Sequence, residues 1–216
     1  NFIDDINRIY EDEKELPKHN QNLAGKIKDE LRVTEILTND MKDCFWTCFR
    51  QYLQVIGKPL WHCELAGAWI NDMKANEYNP FHYHQSTQSY LGLSSVLVLK
   101  RPSTYGVEYS REETPCNGWL EFSGGQQDPL SIPQLRQDAQ VGSLYIFPYT
   151  LLHGVYPFNG TDEIRRTLSY NCDLLTEHQK QVTDIATERG LQEGKIDPKS
   201  VVKRQWVSQK PQKQWK

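Results

Sequence analysis

The chain has 216 residues, 38% of them hydrophobic and 25% charged, with a formal net charge of -3 at pH 7. That length suits one domain with a substantial core, and the composition is that of a folded soluble chain, not a disordered one. No apolar run approaches the roughly 20 residues that a membrane-spanning helix needs, and the small negative charge argues against a surface that is a nucleic-acid footprint throughout.

The first residues, Asn1 to Tyr10, are polar and amphipathic, unlike a secretory leader. Cys44, Cys48, Cys63, Cys116 and Cys172 are odd in number and irregular in spacing. They do not read as a disulfide framework, so a reducing, cytoplasmic setting is expected. Asn159-Gly160-Thr161 has the form of a glycosylation acceptor, but that needs a secretory route of which the sequence shows no sign.

Residues 1–58 read as a helical buttress, with a charged run Glu11 to Glu15, a break at Pro17 and apolar residues at helical intervals from Leu23. Met41, Cys44, Phe45, Cys48, Phe49 and Leu53 recur every three or four residues, the stripe of a helix lying on a core. In that stripe Cys44 and Cys48 are expected to be small buried residues among aromatics.

From residue 60 to 175 the pattern changes to short β-rich runs punctuated by Gly, Pro and Asn: Leu65 to Asn71, Phe81 to His84, Leu91 to Lys100, Gly118 to Phe122, Ser143 to Pro148, Leu151 to Tyr156 and Arg165 to Asp173. Such a series predicts an antiparallel sandwich or barrel. The run Val96-Leu97-Val98-Leu99 marks a central, buried strand. Residues 176–216 read as a helix, beginning near Leu174, and a basic tail with Trp206 and Trp215, a solvated arm or partner contact. The whole is expected to be a single domain, mainly β with flanking helices.

Within this frame the chemistry gathers on a few side chains. In Asn79-Pro80-Phe81-His82-Tyr83-His84, an extended chain turns His82 and His84 to one face, about 7 Å apart, and Tyr83 to the other. His153 supplies a third imidazole from a separate strand. Three imidazoles suit iron, zinc, copper or nickel. His19, His62 and His178 carry no such pattern and are expected to be ordinary hydrogen-bonded histidines.

On the strand from Arg165, Thr167 and Ser169 share a face with Arg165, and a guanidinium in a β core is costly unless an anion meets it. A dicarboxylate meets it well, through paired hydrogen bonds. The bland reading is that Arg165 or Arg166 pairs with a surface carboxylate such as Glu163. A tight two-residue hairpin at Asn159-Gly160 would set His153 opposite Arg166 and turn Arg165 to the wrong face. The connection must therefore be an odd-length loop or a crossing between two sheets, as jelly rolls have.

These residues resemble the 2-oxoglutarate and Fe(II)-dependent oxygenases, most closely a small bacterial and phage group among them, from about Trp69 to Asp173. The matching runs are Trp69-Ile70-Asn71, Asn79 to His84, Leu93-Ser94-Ser95-Val96, Gly142 to Pro148, Leu152-His153-Gly154-Val155 and Arg165 to Asn171. The resemblance implies a cupin-like double-stranded β-helix using Fe(II) and 2-oxoglutarate, with hydroxylation of a substrate C–H bond and release of succinate and CO2. It implies His82, His84 and His153 as metal ligands, Arg165 with Thr167 or Ser169 as the clamp on the far carboxylate, and Asn71 as a residue steadying the co-substrate. Asn76 stands where the family has a turn glycine, an exchange that Asn tolerates.

His84 departs from the carboxylate usual at its position, which changes the charge around the metal and leaves Glu108 or Glu121 as other donors. Two further readings stay open: a cupin-like three-histidine metalloenzyme without 2-oxoglutarate, and a non-catalytic β-sandwich binding module. The substrate, small molecule or protein, is not specified. Tyr78, Phe81, Tyr90, Tyr105, Tyr109 and Trp119 are near enough in sequence to line a pocket mouth, though aromatics in β proteins are more often core. Neither a membrane nor nucleic acid is expected as a partner, and the sequence does not fix an oligomeric state.

Overall fold

The computed structural model describes residues 1–19, 26–85, 91–108, 113–125, 130 and 132–196. The chain opens with helix α1 (Phe2–Asp12), whose first turn is closed by the Asn1 side chain accepting from the backbone N–H groups of Ile3 and Asp4. Ile6 and Tyr10, one turn apart, are its buried residues. Helix α2 (Asn39–Val55) is capped by Thr38, which accepts from the Met41 N–H. Its buried stripe is Met41, Phe45, Phe49 and Leu53. Cys44 is exposed and Cys48 half-buried, so the expected burial of this pair is corrected: both sit one residue behind the stripe, on the helix flank. All five cysteines are free.

The strands form two antiparallel sheets. One has the order β1-β2-β9-β4-β7, from β1 (Asp29–Arg32), β2 (His62–Met73), β9 (Arg165–Leu175), β4 (Gly92–Lys100) and β7 (Leu144–Pro148). The other has the order β3-β8-β5-β6, from β3 (Asn79–His82), β8 (Leu152–Val155), β5 (Leu120–Ser123) and β6 (Gln134–Gln137). This is the double-stranded β-helix architecture that the resemblance implies.

β1 is a correction to the helical buttress, because a strand lies between its two helices and pairs with β2, Glu30 opposite Asn71. β6 was not foreseen either; Gln134-Leu135-Arg136-Gln137 is a largely exposed edge with no apolar alternation to announce it. The last helix, α3 (Glu177–Gln192), begins at a Thr176–Gln179 capping box, and Leu174 and Leu175 close β9 instead. It buries no residue. The basic tail from residue 197 lies outside the described residues. Among the described residues no helix is long and apolar enough to cross a membrane.

Alternation along the large sheet sorts its residues between two environments. Ala68, Ile70, Leu93, Leu97, Leu99, Leu168, Tyr170 and Cys172 face α1 and α2 and join Phe45, Phe49 and Leu53 in the main core. The opposite face looks toward the small sheet. β4 is buried from Gly92 to Leu99, as its apolar run predicts. The connection after β8 leaves the small sheet and enters the large one at Arg165, which is the crossing that the site requires. Asn76, in the turn from β2 to β3, has φ 65, the left-handed conformation expected of a residue in a glycine position.

Phe49 has no exposure to solvent and sits at the centre of the helix–sheet core. Its replacement by Ala is expected to cost about 3–5 kcal/mol in denaturant unfolding, whereas a loss under about 1 kcal/mol would mean that α2 is not tightly docked.

Candidate functional site

β3 and β8 pair so that His82 lies opposite His153. Expected on the same strand as His82, His84 is instead two residues past the end of β3, with its backbone N–H donating to Tyr149 O at 2.9 Å. The three rings still converge: centroids are 5.2 Å apart for His82 and His84, 4.3 Å for His82 and His153, and 5.0 Å for His84 and His153. One ring nitrogen from each lies within 4.8 Å of the other two. Tyr83 is 54% exposed and faces outward, as predicted.

Two of the rings are oriented by backbone carbonyls. His82 Nδ1 is 2.8 Å from Pro80 O, and His153 Nδ1 is 3.0 Å from Leu151 O. A carbonyl only accepts, so each Nδ1 carries the proton and each Nε2 is left with its lone pair. Nε2 of His84 and Nε2 of His153 stand 3.2 Å apart. Burial holds all three imidazoles in the neutral form: His84 is pushed down to about 3, by burial first and then by His153 and His82, His153 to about 4, and His82 in the same direction.

A single narrow cavity runs from these rings between the sheets, lined by Trp69, Asn71, Asn79, His82, His84, Val96, Leu120, His153, Val155, Arg165, Thr167 and Ser169. All seven residues singled out in the sequence are in it. Arg165, 2% exposed, presents Nε and Nη2 with no hydrogen-bond partner, and burial lowers its pKa. Thr167 and Ser169 follow on the same face of β9, opposite Asn71 and Trp69 of β2.

The neighbouring Arg166 points to the helix side. It is 5% exposed and fully matched, by Asp72 at 2.6 and 2.8 Å, by Glu11 at 2.7 Å and by the Tyr10 ring 4.5 Å from its guanidinium carbon. Glu163 takes no arginine; it accepts from the Ser103 N–H and hydroxyl, both at 2.6 Å.

Neither carboxylate considered as another donor joins the imidazoles. Glu121 alternates with Phe122, the residue opposite His153, and so points away from the cavity, where Arg136 Nε at 2.7 Å and the Tyr156 hydroxyl at 2.6 Å donate to it. Glu108 accepts from the backbone N–H groups of Cys116 and Asn117. Of the aromatics expected near a mouth, the described ones are not among the cavity's lining residues: Tyr78 and Phe81 are exposed, Trp119 is half-buried, and Tyr105 packs on Phe158 and bonds to the Arg165 guanidinium. Tyr90 and Tyr109 lie outside the described residues.

Sequence reasoning missed three residues here. Asn79 is three positions before His82, a spacing that strand alternation sends to the opposite face, but an irregular register between them brings both into the cavity. Its Oδ1, like that of Asn71, has no partner. Trp69 walls the cavity and carries His19 stacked on it at 4.7 Å, so His19 is part of the site's surroundings and not merely the ordinary hydrogen-bonded histidine expected. His62, bonded to Glu177 at 2.6 Å, is one.

Residues 67–171, from β2 to β9, match the family model described as "Putative 2OG-Fe(II) oxygenase". The β2–β9 core of the chain thus matches the 2OG-Fe(II) oxygenases. No curated protein matches the sequence. Among solved structures, EvdMO1 shares 12% identity and a TM-score of 0.52 over 80% of this chain, which spans 44% of EvdMO1's own length. A Pseudomonas putida prolyl-4-hydroxylase shares 13% identity and a TM-score of 0.50, covering 82% of this chain and 86% of that one. SnoN, an alpha-ketoglutarate-dependent epimerase from nogalamycin biosynthesis, shares 13% identity and a TM-score of 0.50, with 80% and 72% covered. At these identities the likeness is one of fold.

The cofactors of these oxygenases are Fe(II) and 2-oxoglutarate, and the side chains lining the cavity suit both. Its neutral imidazoles suit a divalent metal, and the unmatched guanidinium atoms of Arg165 suit a carboxylate.

Beside Asn71, on the inner face, Glu30 is 4% exposed and its pKa is raised to about 7, by burial first and then by the nearby Glu77. The folded protein therefore holds a proton that the unfolded chain releases near 4.5. Stability from this group is whole below that pH and drains away as pH rises through about 7. Glu30→Gln, which cannot ionise, is expected to melt near the wild-type temperature at pH 5 and a few degrees above it at pH 8.5. Parallel melting curves across that range would contradict the assignment.

Proposed function

We propose that this chain is a 2-oxoglutarate- and Fe(II)-dependent oxygenase that hydroxylates a C–H bond of its substrate, with release of succinate and CO2. The observation that carries this reading is the pairing, in one cavity, of three convergent imidazoles with a buried guanidinium that lacks an anion. In the proposal His82, His84 and His153 hold the metal. Arg165, helped by the hydroxyls of Thr167 and Ser169, takes the far carboxylate of 2-oxoglutarate. Asn71 and Asn79, whose amides can be turned to donate, steady its oxygens. Iron and 2-oxoglutarate together supply the oxidation of the substrate by O2. The protein's part is to orient, through the backbone carbonyls on two of the imidazoles and the close walls of Trp69, Val96 and Leu120 that exclude water.

Arg165 disfavours a three-histidine metalloenzyme without 2-oxoglutarate, because that reading leaves the guanidinium buried with its Nε and Nη2 unmatched. It disfavours a purely structural module for the same reason. The fold serves both a hydroxylase and an epimerase, so hydroxylation is the proposed outcome of the oxidation and the fold alone does not fix it. The free cysteines support a reducing, cytoplasmic setting. With a net charge of -3, a small molecule or a protein side chain is a better partner than nucleic acid or a membrane surface.

Anaerobic titration with Fe(II) and then 2-oxoglutarate tests the reading through the visible charge-transfer band of the chelated complex. The band is expected in the wild type. Arg165→Ala is expected to weaken 2-oxoglutarate binding roughly ten- to a hundredfold, the loss of charge-assisted hydrogen bonds, with Fe(II) affinity nearly unchanged. His153→Ala is expected to abolish both. Equal 2-oxoglutarate affinity in wild type and Arg165→Ala would refute the clamp, and an absence of Fe(II) binding would refute the metal centre.

A further inference from the structure

His84 has no strand to hold it. Continuing the register in which His82 faces His153 would set Leu151 opposite His84, but Leu151 belongs to the turn between β7 and β8, where its N–H bonds to Pro148 O at 3.0 Å. The same four-residue turn supports two imidazoles through its carbonyls: Tyr149 O accepts from the His84 N–H at 2.9 Å, and Leu151 O accepts from His153 Nδ1 at 3.0 Å.

The turn is in its turn fastened to the large sheet. Gly92 and Asp173 are directly opposed on β4 and β9. The Tyr149 N–H donates to Gly92 O at 2.9 Å, and the Tyr149 hydroxyl donates to Asp173 Oδ1 at 2.8 Å. The ring lies so close over Gly92 that a Cβ there would fall 2.0 Å from it. Tyr149 is 2% exposed and Asp173 4%. The ring centroid of Tyr149 is 6.3 Å from that of His84.

Resting on the metal-centre reading above, we propose that Tyr149 is the positioning residue of His84: its bonds to Asp173 and Gly92 fix the turn whose carbonyl holds the third imidazole in the set. Tyr149 touches neither metal nor substrate in this scheme. Burial and Asp173 push its phenol pKa far up, so the hydroxyl is a permanent donor. The glycine at 92 is required because any side chain there would displace the ring. The large sheet thereby sets not only the clamp end of the cavity but one corner of the imidazole set, although that set is otherwise built on the small sheet.

The test uses Zn(II), titrated into the metal-free 216-residue chain against a chromophoric chelator, and Cu(II), whose EPR spectrum counts coordinated nitrogens. The variant is Tyr149→Phe, which keeps the ring over Gly92 and removes only the hydroxyl. Zn(II) affinity is expected to fall roughly 10- to 100-fold, as when an outer partner of a ligand is lost, and the copper spectrum is expected to gain a two-nitrogen species. In a His84→Ala background the same change is expected to lower Zn(II) affinity no further, because its effect runs through His84. An unchanged affinity and spectrum in Tyr149→Phe overturns the positioning role, as does an equal loss in both backgrounds, which would mark a general loosening of the fold. If the wild type takes up neither ion, the metal-centre reading falls and this role falls with it; if it binds with three nitrogens and Tyr149→Phe matches it, the positioning role alone falls.

Discussion

Arg165 and Arg166 are adjacent on β9 and almost equally buried, yet their surroundings differ completely. Arg166 is enclosed by two carboxylates and an aromatic ring from α1 and β2. Arg165 faces a cavity that the described residues line with neutral imidazoles, amides and hydroxyls and with no carboxylate. Burying a guanidinium is unfavourable by several kcal/mol unless an anion compensates it, so the inner face holds a position that a guest anion completes. That constraint fixes the register of β9. A slip of one residue would exchange the two arginines and carry Thr167 and Ser169 under the helices. The long ladders on both sides of β9, ten pairs with β2 and eight with β4, keep the register from slipping.

The two sheets divide the work. The large sheet offers a wall of matched rows, with Asn71 and Thr167 side by side and Trp69 beside Ser169 one step along. The small sheet offers the paired His82 and His153. Neither sheet alone forms a cavity. The crossing after β8 brings the arginine of one into range of the histidines of the other, and it does so because β8 and β9 belong to different sheets and are not a hairpin. α1 and α2 then cover the outer face of the large sheet, so that the strands carrying the polar wall are backed by Phe45, Phe49 and Tyr170 and held in place by packing.

The sequence disclosed what depends on alternation. His82, Arg165, Thr167 and Ser169 follow the two-residue period of a strand, and Asn71 lies on a strand whose face is set by the same rule. The apolar run of β4 announced its central place. What alternation does not govern was illegible. β6 is an exposed edge of polar residues, held by backbone bonds to β5 that leave no mark in side-chain pattern. β1 carries Asp, Glu and Arg, and its Glu30 is buried although it is an ionisable side chain. Asn79 enters the cavity through an irregular register, and Cys44 and Cys48 fell outside the buried stripe because a helical period of 3.6 drifts past positions three residues apart. His19 reaches the site by stacking on Trp69, a contact between segments fifty residues apart.

His84 is where the electrostatics of the site and its architecture meet. A carboxylate ligand would bring its own negative charge to the metal; an imidazole brings none, and burial keeps all three rings neutral. In the proposed site, counting a divalent ion, a dianionic co-substrate and the guanidinium, a carboxylate among the ligands would leave the cavity formally neutral, while three imidazoles would leave it positive. A positive, water-poor cavity strengthens the hold on anions at close range, and it places more of the burden of exact placement on geometry, since a neutral ring is not drawn to the metal by charge as a carboxylate is. In the proposed site the Tyr149 turn answers that demand, since its hydrogen bonds hold a ring that neither charge nor strand pairing would otherwise hold.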